Sequence, residues 1–419
     1  MTETRIDDAV GLDDFQLLDP GVQQCPHLYY ASMREDTPVF ATEVGGTPIL
    51  LVTRYQDVLD IIRDTETFSS NTGSGTSMPV QPELAEEIRK LYRTEGGYER
   101  VGTMLTIDPP EQTRYRKLVS RSFTVRAVSD LEPAIREVAG GLIARWVNDG
   151  KVEFVRAFAV PLPVATIARA LNVPDDRLDD FKRWTNAIVA LASGSAKADP
   201  TQTGALEELG ELFGAMREIV RERSARPQDD LVSAIVDPAH GKSLSELEVI
   251  NFVVLLLAAG NETTTNLIGN ATNALLAHPE ELAKVNADPS RIPGMLEEVL
   301  RYDPPVQLLY RNTTCDVVLS GREIPAGSIV VPILASANRD ESRFPKADCF
   351  DVERDAKGHI AFGFGVHFCL GASLARLEAK LAMRSLVPHL PGLRRASPHD
   401  LWLDSSMVRG RSSLELVAA

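Results

Sequence analysis

The chain has 419 residues, of which 44% are hydrophobic, so it is long enough to bury a large core. Its 44 basic and 59 acidic residues give a net charge of −15, which disfavours nucleic acid and anionic membrane surfaces as partners. Length alone suits two or three ordinary domains. Because we find no fixed repeat and no Pro- or Gly-rich linker, we expect one domain spanning residues 1–419.

Targeting and redox signals are weak. The first ten residues lack the basic and apolar regions of a secretory signal. The longest purely apolar run, Phe252 to Ala259, is far shorter than the ~20 residues of a membrane span. The four cysteines form no Cys-x-x-Cys pair, which argues against a zinc cluster and against a disulfide framework. We therefore expect a cytoplasmic protein without a membrane anchor.

Strands are predicted in only two places. Residues 38–53 form two extended runs around Gly45-Gly46, and residues 316–334 do so around the turn signal of residues 325–327. Most of the remainder follows helical periodicity. The predicted helices cover residues 127–148, 174–192, 203–224, 244–276, 291–301 and 372–387. The fold class is therefore mainly α with a minor β part.

The segment 70–103 begins rich in Gly, Ser and Thr and contains a short charged helical stretch at residues 82–94. A long irregular segment within a compact domain is often a lid or a binding loop. Composition alone equally suits a disordered surface insertion.

A turn followed by a basic helix start is predicted at residues 108–117. Arg114, Arg116, Lys117 and Arg121 concentrate positive charge there in an otherwise acidic chain. Such a cluster is either a solvated face or a docking surface for an acidic partner.

The predicted helix over residues 244–276 spans roughly 50 Å, enough to cross a whole domain. A capping box of Ser243 and Glu246 is expected to open it. Its middle, residues 259–265, reads Ala-Gly-Asn-Glu-Thr-Thr-Thr. A helix-interior glycine costs ~1 kcal/mol relative to alanine and the threonines add β-branched crowding, so a compensating role is expected.

Two further segments carry chemistry. Glu298 and Arg301 lie three residues apart on one helix face, where they can pair.

Residues 362–371, Phe-Gly-Phe-Gly-Val-His-Phe-Cys-Leu-Gly, lead directly into an amphipathic helix. A thiolate at a helix N-terminus has a lowered pKa, and the glycines and phenylalanines would allow close backbone approach and exclude water. On residue types alone, Cys369 is either such a ligand or a small buried hydrophobe.

The spacing Phe-x-x-Gly-x-x-x-Cys-x-Gly resembles the haem-binding loop of the cytochrome P450 family. The Glu298–Arg301 pair, residues 259–265 and residues 108–117 resemble that family's buried ion pair, its oxygen-activation motif and its haem-propionate segment, in the family's order. The resemblance covers nearly the whole chain. It implies a single-domain cytochrome P450 fold with a long central helix crossing the haem, haem b as the cofactor and Cys369 as the iron ligand.

The resemblance also implies roles for other residues. Gly260 would open a groove for O₂, Thr263 would donate a hydrogen bond during oxygen activation, and Glu262 would relay protons. The haem-binding residues that it implies are Arg116, Arg311, His367, Phe362, Gly365 and Gly371. Gln112 stands where many family members carry His, so a propionate contact from that position is not expected.

A haem-thiolate monooxygenase inserting one oxygen atom from O₂ is the activity implied, since a cysteinate ligand favours O–O cleavage. We find no flavin, iron–sulfur or nicotinamide signature, so electrons are expected from a ferredoxin with an NAD(P)H-dependent ferredoxin reductase. The ferredoxin is expected to dock on the basic run of residues 114–121. The protein is expected to be a monomer. An H₂O₂-driven peroxygenase and a haem-based sensor or ligand carrier remain as alternatives. Glu262 and Thr263 count against the first, and the absence of an output domain from the sequence counts against the second.

By the same resemblance, a set of mostly apolar residues would line the substrate pocket. They are Leu255, Ala258, Ala259, Val306, Gln307, Leu308, Met407 and Val408. Together they indicate a lipophilic substrate such as a terpenoid, fatty acid or steroid, with Gln307 as a polar contact.

Overall fold

The structure is a computed structural model. It describes residues 11–13, 15–71, 90, 93, 101–120, 123–173, 177, 179–181, 183–185, 187, 201–228, 230–236, 244–397 and 402–419. The predicted helix over residues 174–192 and the charged stretch at residues 82–94 lie mostly outside the described residues, as does most of the 70–103 segment.

Helices dominate the described chain. They are α1 (Pro20–Gln24), α2 (Pro26–Asp36), α3 (Tyr55–Arg63), α4 (Glu111–Val119), α5 (Val125–Asp130), α6 (Glu132–Ala144), α7 (Pro161–Ala170), α8 (Thr201–Ala225), α9 (Leu231–Val236), α10 (Glu246–Ala277), α11 (Pro279–Ala287), α12 (Ile292–Tyr302), α13 (Leu334–Ala337) and α14 (Ala372–Leu386). Four predicted helices are confirmed to within two residues at each end. The fifth, 127–148, is instead split into α5 and α6, because Pro133 begins a new helix.

Within the described residues, short strands form three sheets. The strands are β1 (Val39–Val44), β2 (Thr47–Val52), β3 (Phe68–Ser69), β4 (Lys151–Glu153), β5 (Arg311–Thr313), β6 (Val317–Leu319), β7 (Arg322–Ile324), β8 (Ile329–Pro332), β9 (Leu393–Arg395) and β10 (Glu415–Ala418). Their orders are β1-β2-β8-β5-β3, β4-β10-β9 and β6-β7.

The first predicted hairpin is confirmed. β1 and β2 pair antiparallel, and the turn residues Gly45 and Gly46 have φ angles of +56° and +77°, which glycine tolerates best. The second was placed wrongly. Its turn lies at Ser320-Gly321, between β6 and β7, whereas the predicted turn at residues 325–327 leads on to β8. The reason is that the apolar β8 pairs with β2 and β5 inside the larger sheet.

The long helix α10 crosses between the two largest apolar clusters. Its first half, including Val249 and Leu257, packs in one cluster, and its second half, including Leu267 and Leu275, packs in the other. Among the described residues, α10 alone is long and apolar enough to cross a membrane by length and composition, and 44% of its most apolar window is buried in the protein.

The capping box of α10 begins at Ser245, later in the chain than the predicted Ser243. Ser245 Oγ accepts a hydrogen bond from Glu248 N, and Glu248 Oε2 accepts one from Ser245 N. This frame places Leu244 just before the cap and Val249 in the first turn, and both are buried in the same cluster. Burial of apolar residues on both sides of the cap therefore favours the second of two overlapping Ser-x-x-Glu patterns.

Candidate functional site

Cys369 lies in a closed loop directly before α14. The Cys369 amide donates to the Phe362 carbonyl at 2.8 Å, and the Phe368 amide donates to Gly365 O at 3.1 Å. Gly365 has a φ of +65°, so a side chain there would be strained. Gly371 differs, because its φ is −84° and an added Cβ would meet no protein atom within 4 Å. The protein itself therefore requires glycine at 365 but not at 371.

Burial and charge act in opposite directions on the Cys369 thiol. Burial raises the pKa of Cys369, while backbone N–H groups of Gly371 and Ala372 and the charges of Arg116 and Arg376 lower it. The predicted lowering by the start of a helix is present, but burial outweighs it. A buried thiol that has cations nearby and backbone N–H groups directed at it is suited to carry a negative charge once a metal ion shares it.

The helix α4 holds this loop from the side. Gln112 Nε2 donates to the Val366 carbonyl at 2.7 Å, and an Arg116 guanidinium nitrogen donates to the same oxygen at 3.2 Å. Gln112 is completely buried. The residue that departs from the usual histidine therefore fastens the cysteine loop, a role that its sequence position did not indicate.

Arg311 adds a buried positive charge beside the loop. One of its terminal nitrogens donates to Tyr310 O at 2.7 Å, and its buried Nε has no hydrogen-bond partner among the described residues. Burial lowers the pKa of Arg311 to about 10, so the group is still charged at pH 7. A buried charged donor without a partner is costly, so this nitrogen is suited to an anionic acceptor.

His367 lies within the same electrostatic cluster as Arg311 and Arg116. Burial, with the charge of Arg311, lowers the pKa of His367 to about 4, so the ring is neutral at pH 7. Its Nε2 lies 3.0 Å from Ser70 Oγ and its Nδ1 lies 3.1 Å from Met104 O. The structure thus brings the three predicted propionate-binding residues together, and gives both ring nitrogens of His367 protein partners.

The phenylalanines of the loop differ in exposure. Phe362 is half-buried, packs against the largest apolar cluster and lies under the Arg376 guanidinium, 4.5 Å from its ring centre. Phe364 and Phe368 are 43% and 39% exposed. The prediction that all three exclude water is therefore supported for Phe362 alone.

The middle of α10 carries the predicted oxygen-activating pair. The Thr263 hydroxyl donates to the Ala259 carbonyl at 2.6 Å, one turn earlier. Burial raises the pKa of Glu262, which favours a carboxyl group that can hold a proton. Ala259 is exposed, whereas a Cβ on Gly260 would lie 2.8 Å from Ile167 Cδ1 of α7. The glycine therefore allows α7 and α10 to pack closely, and the groove for O₂ at Gly260 stays a prediction.

The predicted ion pair is completely buried. Arg301 Nε donates to Glu298 Oε2 at 2.7 Å, and a terminal nitrogen donates to Oε1 at 2.8 Å. Sequence analysis missed a third member, Arg354, whose Nε lies 3.1 Å from Glu298 Oε1. Arg354 follows the pair by more than fifty residues in a charged stretch, so nothing local distinguished it. Glu298, Arg301 and Arg354 together join α12 to the later segment that contains Arg354.

The predicted pocket residues divide into two groups. Leu255, Ala258, Ala259, Val306, Met407 and Val408 are all at least partly exposed. Gln307 and Leu308 are 2% and 0% exposed, so they are buried and their place in the pocket lining stays a prediction. Leu308 packs in an apolar cluster with Leu17 and Met33, and Gln307 Nε2 donates to Pro304 O at 2.6 Å. For Leu308, sequence could not separate core from pocket, because both kinds of position are apolar.

The basic run of residues 114–121 offers fewer unpaired charges to an acidic partner than predicted. Arg114 pairs with Glu111 and with Glu248, at 2.8 and 2.6 Å. Lys117 is exposed, and Arg121 lies outside the described residues. A neighbouring cation that the prediction missed is Arg63, which is exposed and lies 5.4 Å from the ring centre of Phe364.

A cysteine loop before a helix, cationic side chains beside it and an acid–threonine pair on a long central helix are typical of thiolate-ligated haem proteins. The comparisons agree. The family model described as Cytochrome P450 matches residues 201–390. The chain is 39% identical over 419 residues to Cytochrome P450 107B1 of Saccharopolyspora erythraea, covering 99% of this chain and 98% of that protein.

Two further proteins extend the similarity. Vitamin D(3) 25-hydroxylase of Pseudonocardia autotrophica is 38% identical, with 97% of each chain covered. The structure of cytochrome P450 CYP109Q5 from Chondromyces apiculatus has a TM-score of 0.84 at 38% identity, covering 97% of this chain and 98% of that chain. The chain belongs to the bacterial cytochrome P450 family. It is a cytochrome P450 monooxygenase with the family's fold, and haem b is its cofactor.

Proposed function

We propose that this monooxygenase hydroxylates a lipophilic small molecule of the steroid, terpenoid or fatty-acid kind, with electrons from a ferredoxin and with Cys369 as the iron ligand. The observation that carries the proposal is the position of Cys369. Its thiol is buried at the start of α14, and α4 holds its loop through Gln112 and Arg116.

The residues present fit a haem. Arg311 offers a buried cationic Nε without a partner among the described residues, and Arg116 and His367 lie in the same cluster. These groups would hold the propionates, while Phe362, Gly365 and Gly371 would border the ring beside Cys369. When bound, the haem supplies the redox chemistry that uses O₂, two electrons and two protons to place one oxygen atom on the substrate and release the other as water.

Glu262 and Thr263 would supply the protons. Because burial raises the pKa of Glu262, its carboxyl group holds a proton more readily than an exposed glutamate does, which suits a proton relay. The Thr263 hydroxyl is engaged with Ala259 O, so its O–H bond would have to turn away from that carbonyl to donate elsewhere. This pair favours the O₂-dependent reaction over an H₂O₂-driven peroxygenase, which would not need it.

The substrate class rests on the partly exposed apolar positions of α10 and of residues 306 and 407–408. No charged side chain is among them, so a substrate with little polar surface is favoured. A similar protein is named a vitamin D(3) hydroxylase, which fits a fused-ring or secosteroid substrate. Screening steroids, terpenoids and fatty acids for substrate-induced shifts of the haem Soret band would identify the class.

A separate electron carrier follows from the sequence, which carries no flavin or iron–sulfur signature. Exposed Lys117 and Arg63 lie near the cysteine loop and would attract an acidic ferredoxin in this otherwise acidic chain. The proposed function is tested by product formation. We expect hydroxylated product only with NAD(P)H, ferredoxin and reductase together. Equal turnover with H₂O₂ alone would support a peroxygenase, and haem binding without any product would support a sensor or carrier.

A further inference from the structure

Asn270 joins the long helix to two other parts of the chain. It lies on α10 seven residues after Thr263, about two helical turns, and is 1% exposed. Its Nδ2 donates to Asp303 O at 3.0 Å and to Arg409 O at 3.1 Å. One side-chain amide therefore fastens both the segment after α12 and the segment before β10 to α10.

Those two segments run side by side. Val306 forms an antiparallel bridge with Val408, the Gln307 amide donates to Met407 O at 2.8 Å, and the Arg409 amide donates to Pro305 O at 2.8 Å. Residues 303–309 and 405–410, here called the paired segments, carry three of the partly exposed pocket positions. Asn270 holds the end of this pair that lies against α10.

A second contact shows how closely the pair approaches the helix. A Cβ on Gly410 would lie within 2.9 Å of Asn266 Cβ and closer still to the amide of Asn266. Asn266 and Asn270 are one turn apart on the same face of α10. The backbone at residue 410 is therefore about as near to the helix as glycine allows.

Only an amide satisfies the Asn270 site. Its NH₂ group has two N–H donors, one for each carbonyl, and its buried Oδ1 has no partner among the described residues. Leucine has similar size but would remove both donors. Aspartate would place a carboxylate against two carbonyl oxygens, which is unfavourable. The arrangement thus depends on donation rather than on side-chain volume.

From this geometry we propose that Asn270 is a positioning residue for substrate selection. By fixing the paired segments against α10, it sets the width of the space between Val306, Met407 and Val408 and the helix positions Ala258 and Ala259. The inference rests on the proposed function, because it assumes that these positions border the substrate.

Two probes test it without knowledge of the substrate. Imidazole binds the haem iron as a small ligand, whereas 4-phenylimidazole adds a ring that must fit the pocket. Dissociation constants for both are measured from Soret shifts of the haem-loaded enzyme. We expect Asn270→Leu to raise the ratio of the 4-phenylimidazole to the imidazole constant about tenfold, equivalent to ~1.4 kcal/mol. Regioselectivity on a steroid substrate should change in parallel.

Asn273→Leu is the matched control. Asn273 lies one turn further along α10, and its Oδ1 accepts from Arg395 rather than holding the paired segments. We expect its ratio to stay at the wild-type value. If both variants change the ratio equally, or if Asn270→Leu leaves it unchanged, Asn270 has only a structural role and the proposal fails.

A second variant covers the case in which Asn270→Leu does not fold. Gly410→Ala places a methyl group against Asn266 and must push the paired segments or the amide aside, so the ratio should again change. A wild-type ratio in this variant would also overturn the proposal. Failure of imidazole to shift the Soret band of the wild-type protein would instead contradict the haem-thiolate function itself.

Discussion

Removing the charge of Glu298 should destabilise the protein far more than removing an exposed carboxylate. Both oxygens of Glu298 accept hydrogen bonds from Arg301, and Oε1 also accepts from Arg354 Nε and from the Asp351 amide. Glu298 and Arg301 are both 0% exposed, so water cannot solvate the Arg301 charge that is left without its partner. Breaking such a buried pair by removing one partner costs about 3–5 kcal/mol. We therefore expect Glu298→Gln to lower the free energy of unfolding by that amount.

Urea unfolding of the haem-loaded enzyme, followed by far-UV circular dichroism, measures the loss. The matched control is Glu132→Gln, which breaks a pair with Arg136 one turn away on α6, where the side chains are 36% and 56% exposed. An exposed pair of this kind contributes about 0.2–1 kcal/mol. A loss in Glu298→Gln no larger than in the control would refute the reasoning, because burial would then not decide the cost.

Four further outcomes are expected. Cys369→Ala should abolish the thiolate-type absorption band of the reduced CO complex, and alanine at any of the other three cysteines should keep it. Thr263→Ala should bind substrate and consume NAD(P)H but divert reducing power to H₂O₂, which full coupling would contradict. Lys117→Glu, alone or with Arg121→Glu, should slow reduction by ferredoxin in stopped-flow experiments at low salt and lose this effect at high salt, since screening acts beyond ~10 Å at 0.1 M; equal low-salt rates would place the carrier elsewhere. The last outcome concerns Glu297. Burial alone would raise the pKa of Glu297, but hydrogen bonds from Arg376 and His359 lower this pKa to about 2. Its stabilisation is therefore complete above the unfolded pKa near 4.5 and lost as pH falls towards 2, so the pH dependence of unfolding over that range should flatten in Glu297→Gln.

The sequence by itself determined the fold class, the long central helix and the chemistry of the cysteine loop. These are local features. A helix period over thirty residues and a glycine–cysteine spacing within ten residues keep their meaning whatever packs around them. The Glu298–Arg301 pair was also predictable, because residues three apart on a helix face necessarily meet. The single domain, the monomeric state and the cytoplasmic location stay predictions.

The tertiary structure alone decided where side chains are buried and which distant residues meet. Leu308 was indistinguishable from Val306 by type, but packing against the N-terminal segment buries it. Arg354 completes the Glu298 pair from more than fifty residues away, and Asn270 reaches a carbonyl 139 residues further along the chain. Such contacts depend on how the elements pack in three dimensions, and neither periodicity nor spacing in one chain records that arrangement.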